Sequence, residues 1–169
     1  MSHATPAFET LKADFGSAEW AHSLELDPYG MVNICTSADH LLTAVSFLKT
    51  YEKAPAQLLT DICAVHYPER SGQELEVVYH LHSLTHNLRV RLKVALSQDN
   101  PSVASLCTLY AGANWMERET FDFFGVNFQG HPDLRRILNM DQMDYHPMLK
   151  QYALEDETRD DKNDQFFGR

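Results

Sequence analysis

The chain has 169 residues, 44% hydrophobic and 22% charged, with only 7 glycines and 7 prolines, which is one domain's length and a globular composition. Lys and Arg total 14 against 24 Asp and Glu, a formal net charge of −10, so the basic field needed to hold nucleic acid or an anionic lipid surface is missing. No apolar run approaches the roughly 20 residues of a transmembrane helix, and the first residues, Met1-Ser2-His3-Ala4-Thr5-Pro6, read as neither a secretory leader nor an organelle presequence. The chain is therefore expected to stay inside the cell.

In chain order, residues 8–15 read as a short amphipathic entry helix. Asp27-Pro28-Tyr29-Gly30 is a turn between two short strands, roughly 22–25 and 31–34. Ser37 is positioned to cap a helix over residues 38–50, whose Leu41, Ala44, Val45 and Leu48 follow the i, i+3, i+4, i+7 rule and would cover a sheet. Residues 57–65 fit a helix or a strand equally well.

Two alternating segments follow. Residues 74–82 alternate, and in residues 88–96 Leu88, Val90, Leu92, Val94 and Leu96 fall on one face with Arg89, Arg91 and Lys93 on the other. Thr85-His86-Asn87 between them predicts an antiparallel hairpin whose basic face meets an acidic neighbour. After Asn100-Pro101, residues 113–124 predict a third helix, with Met116, Thr120, Phe123 and Phe124 on one face, an Arg118–Asp122 pair at i, i+4, and Gly125 as its stop. From Asn127 onward no period is sustained, and Gly130-His131-Pro132 and His146-Pro147 break the chain.

These elements predict an α+β fold, a mostly antiparallel β-sheet with helices packed on it, over residues 1–126, followed by an extended C-terminal arm over 127–169 that wraps a partner. The last stretch, 155–169, holds six acidic and three basic residues together with Phe166-Phe167, and is expected to dock on a basic, apolar-lined groove of that partner.

Catalytic signatures are absent: the chain has no GxGxxG, P-loop, GxSxG or HExxH. Cys35, Cys63 and Cys107 are odd in number and far apart, which fits reduced packing residues and neither a disulfide framework nor an iron–sulfur motif. His80 and His82 share a strand face with His86 in the following turn; they are either solvent-facing or the zinc or iron triad of a stand-alone metalloenzyme. The densest polar signal runs from Trp115 to Leu138. Its Glu117, Arg118, Glu119 and Asp122 lie on one helix among large aromatics, followed by a rigid turn and the pair Arg135-Arg136. Such residues build either a desolvated interface or an internal ion-pair network.

That stretch resembles the signature of the 30-kilodalton subunit family (the subunit lettered C) of proton-translocating NADH:quinone oxidoreductase, respiratory complex I. In the family a Glu-Arg-Glu triplet, an Asp three residues later, a Gly followed by Val or Ile, an aromatic, and then Gly-His-Pro-Asp-Leu-Arg-Arg-Ile-Leu recur in order. Here Glu117, Arg118, Glu119, Asp122, Gly125, Val126, Phe128 and then Gly130, His131, Pro132, Asp133, Leu134, Arg135, Arg136, Ile137 and Leu138 meet every position. Weaker similarity extends over residues 37–154 and includes His146, Pro147, Lys150, Tyr152 and Leu154, while Leu149 stands where the family has Arg and Ala153 where it has Pro.

The resemblance implies a peripheral-arm subunit with no catalytic residue, metal or cofactor of its own. FMN, iron–sulfur clusters and quinone would belong to partners, chiefly the quinone-site subunit (lettered D) and neighbouring iron–sulfur subunits. It also implies a place on the cytoplasmic face of a bacterial inner membrane, with membrane association indirect. An equivalent subunit of a membrane-bound hydrogenase or another donor-linked quinone oxidoreductase is the alternative. Within the signature, Arg135 and Arg136 are expected to pair with Glu117, Glu119 or Asp122 and with partner carboxylates, and His131-Pro132 to fix the turn that launches the arm.

Overall fold

The computed structural model describes residues 4–15, 18 and 20–152. The acidic end with Phe166-Phe167, and the family positions Ala153 and Leu154, lie outside the described residues. The elements are α1 (Ala4–Phe15), β1 (Ser23–Leu26), β2 (Val32–Thr36), α2 (Leu41–Thr50), β3 (Leu58–His66), β4 (Leu75–Ser83), β5 (Leu88–Leu96), β6 (Ser102–Ala104), α3 (Ala113–Phe124) and β7 (Asn127–Gln129).

The strands form one five-stranded sheet, β1-β2-β5-β4-β3, and a two-stranded sheet, β6-β7. Three of the four pairings in the large sheet are antiparallel; β2 and β5 run parallel, because α2 and the β3–β4 hairpin intervene before the chain returns beside β2. The predicted hairpin is present, with Leu81 opposite Val90 and Tyr79 opposite Leu92. Alternation decides its faces: Leu75, Val77, Tyr79 and Leu81 of β4 and Leu88, Val90, Leu92, Val94 and Leu96 of β5 are buried. They meet Val32 and Ile34 of β2 and the Leu41, Ala44, Val45 and Leu48 stripe of α2 in a single core. On the opposite face, Lys93 Nζ lies 3.1 Å from Glu76 and Arg91 Nη1 lies 3.9 Å from Asp27, so the acidic neighbours of the basic strand come from this chain.

The segment at 57–65, open in the sequence, is strand over Leu58–His66. The pairing of β3 with β4 shifts register between Leu59 and Asp61, which interrupts the period of two and hides the strand. Helix α2 starts at Leu41 and not at Ala38, with His40 at its N-cap. Ser37 does not cap it. The Ser37 Oγ instead lies 3.2 Å from His40 Nδ1, within a turn closed by the His40 N–H on the Ser37 carbonyl.

The chain from residue 127 does not leave the domain at once. Strand β7 pairs with β6 in parallel, Val103 opposite Phe128, and Phe128 is buried. Residues 130–152 then follow without helix or strand. Among the described residues no helix is long and apolar enough to cross a membrane.

Candidate functional site

Helix α3 has the predicted bounds, but its buried face is polar. Ala113, Glu117, Arg118, Thr120 and Asp122 are buried, while Met116, Phe121 and Phe124 are only partly so. A helix that turns carboxylates and a guanidinium inward must supply each with partners, since an unpaired buried charge costs several kcal/mol (about 3–5 when a partner is removed).

Asp122 is the best supplied. Its Oδ2 accepts the successive backbone N–H groups of Ile137, Leu138 and Asn139 at 3.1, 2.9 and 2.9 Å. Its Oδ1 accepts Arg136 Nη1 at 2.6 Å and Asn139 Nδ2 at 3.0 Å. Consecutive N–H groups converging on one oxygen make a small anion nest. Burial alone would raise this carboxyl; the backbone of Asn139 and Leu138, with the Arg136 and Asn139 side chains, outweighs it and holds the group far below the usual carboxylate range.

Arg136 completes the clamp. Its Nη1 also donates to the Asp122 carbonyl at 3.1 Å, and its Nη2 donates to the carbonyls of Met143 and Tyr145 at 2.7 and 2.8 Å. One guanidinium thus ties the helix to two later points of the arm. Arg118 works from the same helix, donating from Nε and Nη2 to the carbonyls of Arg135 and Arg136 at 3.2 and 3.1 Å, with its guanidinium over the Trp115 ring. The predicted Arg118–Asp122 pair does not form. Each takes a partner from the arm, which removes more unsatisfied polar groups than a surface i, i+4 pair could.

Glu117, also fully buried, faces the other way. It accepts Ser105 Oγ and the Leu106 N–H, both at 2.6 Å, and fixes the loop between β6 and α3. Burial pushes its carboxyl up, against these bonds. No arginine pairs with Glu117. Glu119 is exposed and takes neither arginine, and the Arg135 guanidinium pairs with Asp133 at 2.9 Å, both exposed. Of the expected pairings of the two arginines, Arg136 with Asp122 is the one that forms.

Gly125 is the helix stop that the sequence predicts, and the other turn residues bond within the chain. Gly125 ends α3 at φ 79°, and a Cβ there would come within 2.7 Å of the His146 ring. His146 packs on it, edge-on to Phe121 at 5.7 Å, and donates from Nδ1 to the Asp122 carbonyl at 2.9 Å. His131 donates from Nε2 to the Asn114 carbonyl at 3.1 Å and accepts the Asp133 N–H at Nδ1, which pins the Gly130-His131-Pro132 turn to the start of α3. Pro147 lies in the turn closed by the Leu149 N–H on the His146 carbonyl; the Lys150 ammonium lies over the Tyr67 ring and Tyr152 packs on Tyr145.

The three histidines do not assemble. His80 accepts Arg91 Nε at 3.1 Å, His82 lies 3.4 Å from Asn87 Oδ1, and His86 lies 2.9 Å from Thr85 Oγ1. Ligand-type atoms do converge, among the described residues, at Asp61, Cys63 and His80 and at Cys107, Glu117 and His131. Neither group offers a free imidazole lone pair: Arg91 occupies Nε2 of His80, which leaves the proton on Nδ1, and both nitrogens of His131 are bonded.

Residues 34–158 match the family described as respiratory-chain NADH dehydrogenase, 30 Kd subunit. The chain belongs to that family. Similar relatives include the subunit lettered C of the NADH-quinone oxidoreductase of Rhizobium rhizogenes, 45% identical over 73% of this chain and 61% of the relative. That of Methylobacterium radiotolerans is 38% identical over 86% of this chain and 66% of the relative. The chain thus spans about three-fifths of the length of its rhizobial relatives. Among solved structures, the fold is similar to a trypsin-resistant fragment of Nqo5, with TM-score 0.63 and 24% identity over 79% of this chain and all of that one. It is also similar to a chain of the membrane-bound sulfane sulfur reductase, an archaeal respiratory membrane complex, with TM-score 0.72 and 23% identity over 88% and 86%. At residue 149, where the resemblance led to the expectation of an arginine, Leu149 is 7% exposed and belongs to the core, a place where an arginine would need partners of its own.

Two features were invisible in the sequence. Ser105 and Leu106, which hold Glu117, lie in a stretch without periodicity, and β6 and β7 are three residues each. His66, buried at the end of β3 and bonded to the arm, had no flanking motif to mark it.

Proposed function

We propose that the chain is a cofactor-free peripheral-arm subunit of a proton-translocating NADH:quinone oxidoreductase, scaffolding the quinone-reducing module beside the quinone-site subunit and neighbouring iron–sulfur subunits. Family membership supports the assembly, and the Asp122–Arg136 clamp is the observation that carries the role. It spends a buried ion pair on shaping residues 136–146, a stretch with no secondary structure, and leaves Leu138 and Met140 exposed on it at 63 and 70%, with Met148 just beyond at 50%. Apolar side chains held out on an ordered, acid-flanked segment (Asp141 and Asp144) suit a partner surface with an apolar centre and a basic rim.

The contribution is positional. Electron transfer to quinone depends on geometry fixed between subunits, so a chain that holds two of them in register raises the rate without touching the substrate. On this reading the isolated chain has no activity, flavin, clusters and quinone are bound by partners, and the subunit sits peripherally on the cytoplasmic face of a bacterial inner membrane. The likeness to a chain of the membrane-bound sulfane sulfur reductase favours one second reading, an equivalent subunit in a complex with a different electron donor.

Affinity purification of the tagged chain from solubilised membranes, followed by identification of its companions, tests both. Co-purification of an NADH-binding flavoprotein and a quinone-site subunit with NADH:quinone reductase activity is expected. Companions without the flavoprotein would favour the second reading, and recovery of the chain alone would refute both.

A further inference from the structure

Beyond the clamp, the distal arm is held by a second device. His66 is 3% exposed and sits in a directed chain of hydrogen bonds. The Lys150 backbone N–H can only donate, and it donates to His66 Nδ1 at 2.9 Å. That nitrogen therefore presents a lone pair, and the neutral ring carries its proton on Nε2, which donates to Gln98 Oε1 at 3.0 Å. Gln98 must then turn its amide nitrogen outward, where Nε2 donates to Gln151 Oε1 at 3.4 Å. One obligate donor fixes the imidazole tautomer and the Gln98 orientation, and both ends of the relay lie on the arm, next to buried Leu149.

We infer that His66 is a proton-sensitive latch: neutral, it holds residues 149–151 on the domain, and protonated, it releases them. A second proton can go only to Nδ1, where it would face the Lys150 N–H donor to donor in a buried site, and the first bond of the relay is lost. The charged groups around the ring are Glu74, which interacts with His66 and accepts the Gln98 N–H at 3.0 Å, Lys150, whose ammonium lies over Tyr67, and Arg70, stacked on the same ring from the β3–β4 turn. The latch is closed while the ring is neutral and opens when Nδ1 takes a proton.

The proximal arm is built differently. His146 donates from Nδ1 to the Asp122 carbonyl, a bond that a protonated ring keeps, and Asp122 stays ionised far below the histidine range. Acid therefore loosens residues 149–151 and spares residues 137–139. The latch rests on this geometry alone and stands or falls separately from the subunit reading.

The test is amide hydrogen exchange on the full chain at about pH 7.5 and about pH 5.5, corrected for intrinsic rates. Protection of Lys150 is expected to drop by about tenfold at the lower pH while that of Leu138 and Asn139 holds. In His66→Asn, whose amide oxygen can accept the Lys150 N–H without titrating, the drop should vanish. Should the variant not fold, nitrogen NMR of the wild-type ring must show Nδ1 gaining its proton as Lys150 loses protection. Unchanged protection, an equal drop in His66→Asn, or loss of protection without protonation of Nδ1 would overturn the latch.

Discussion

The five-stranded sheet and the seam between α3 and the arm are held by opposite means. The sheet buries Leu75, Val77, Tyr79, Leu81, Leu92 and Val94 in one core with the apolar stripe of α2, and its cohesion is spread over area without direction. The seam buries Glu117, Arg118 and Asp122 and is cohesive only because each polar atom meets a particular partner. Apolar packing tolerates substitutions that keep volume, whereas a directed network fails when one member goes. A chain that must present a loop in a single shape, more than merely fold, has reason to use the second means where the first supplies no direction.

Substitutions in the two regions should therefore differ in kind. Asp122→Ala removes the only carboxylate beside the Arg136 guanidinium among the described residues and strands three backbone N–H groups, and is expected to cost about 3–5 kcal/mol in urea unfolding while freeing residues 136–146 to exchange. Leu92→Ala in the sheet should cost about 3 kcal/mol through transfer and cavity terms, yet leave the arm protected in exchange. If Leu92→Ala loosened the arm as much as Asp122→Ala, the seam would not be a separate device. Gly125→Ala must strain a φ of 79° and displace His146, for about 1–3 kcal/mol and a visible shift of the His146 resonances. Arg135→Ala removes only an exposed pair with Asp133 and should stay within about 0.5 kcal/mol of wild type.

Acid sharpens the same contrast. The Asp122 carboxyl is held below its unfolded value, so its contribution is complete above the ordinary Asp range near 3.9 and is lost as pH falls below it. Glu117 has the opposite sign: its carboxyl is raised, so its share of stability is greatest when protonated and falls as pH rises through its folded value. Asp122→Asn should accordingly flatten the acid limb of the stability curve below about pH 4. A limb as steep as that of wild type would assign the acid sensitivity elsewhere.

How far the sequence could be read follows the same division. Strands β4 and β5 and helix α2 were legible because area-driven burial writes itself as a period, two for Leu88 to Leu96 and 3.6 for Leu41 to Leu48. Strand β3 was ambiguous where the register shift at Thr60 broke the period, and β7 was too short to show one. The seam was visible as a density of charge, but its wiring was not. Arg118 and Asp122 have ideal helical spacing and Arg135 and Arg136 are chemically identical, so only the path of the arm decides that Asp122 takes Arg136, that Arg118 takes carbonyls, and that Arg135 is left outside. Family resemblance pointed to this stretch, and the hydrogen bonds show what Arg118, Asp122 and Arg136 do within it.

The most direct test sets the two neighbouring arginines against each other in the native assembly. Membranes carrying Arg136→Ala or Arg135→Ala in place of wild type are compared on a native gel for retention of this chain, and assayed for NADH:quinone reductase activity. The account predicts that Arg136→Ala loses the chain and the activity together while Arg135→Ala matches wild type. Full retention and unchanged activity in Arg136→Ala would contradict it.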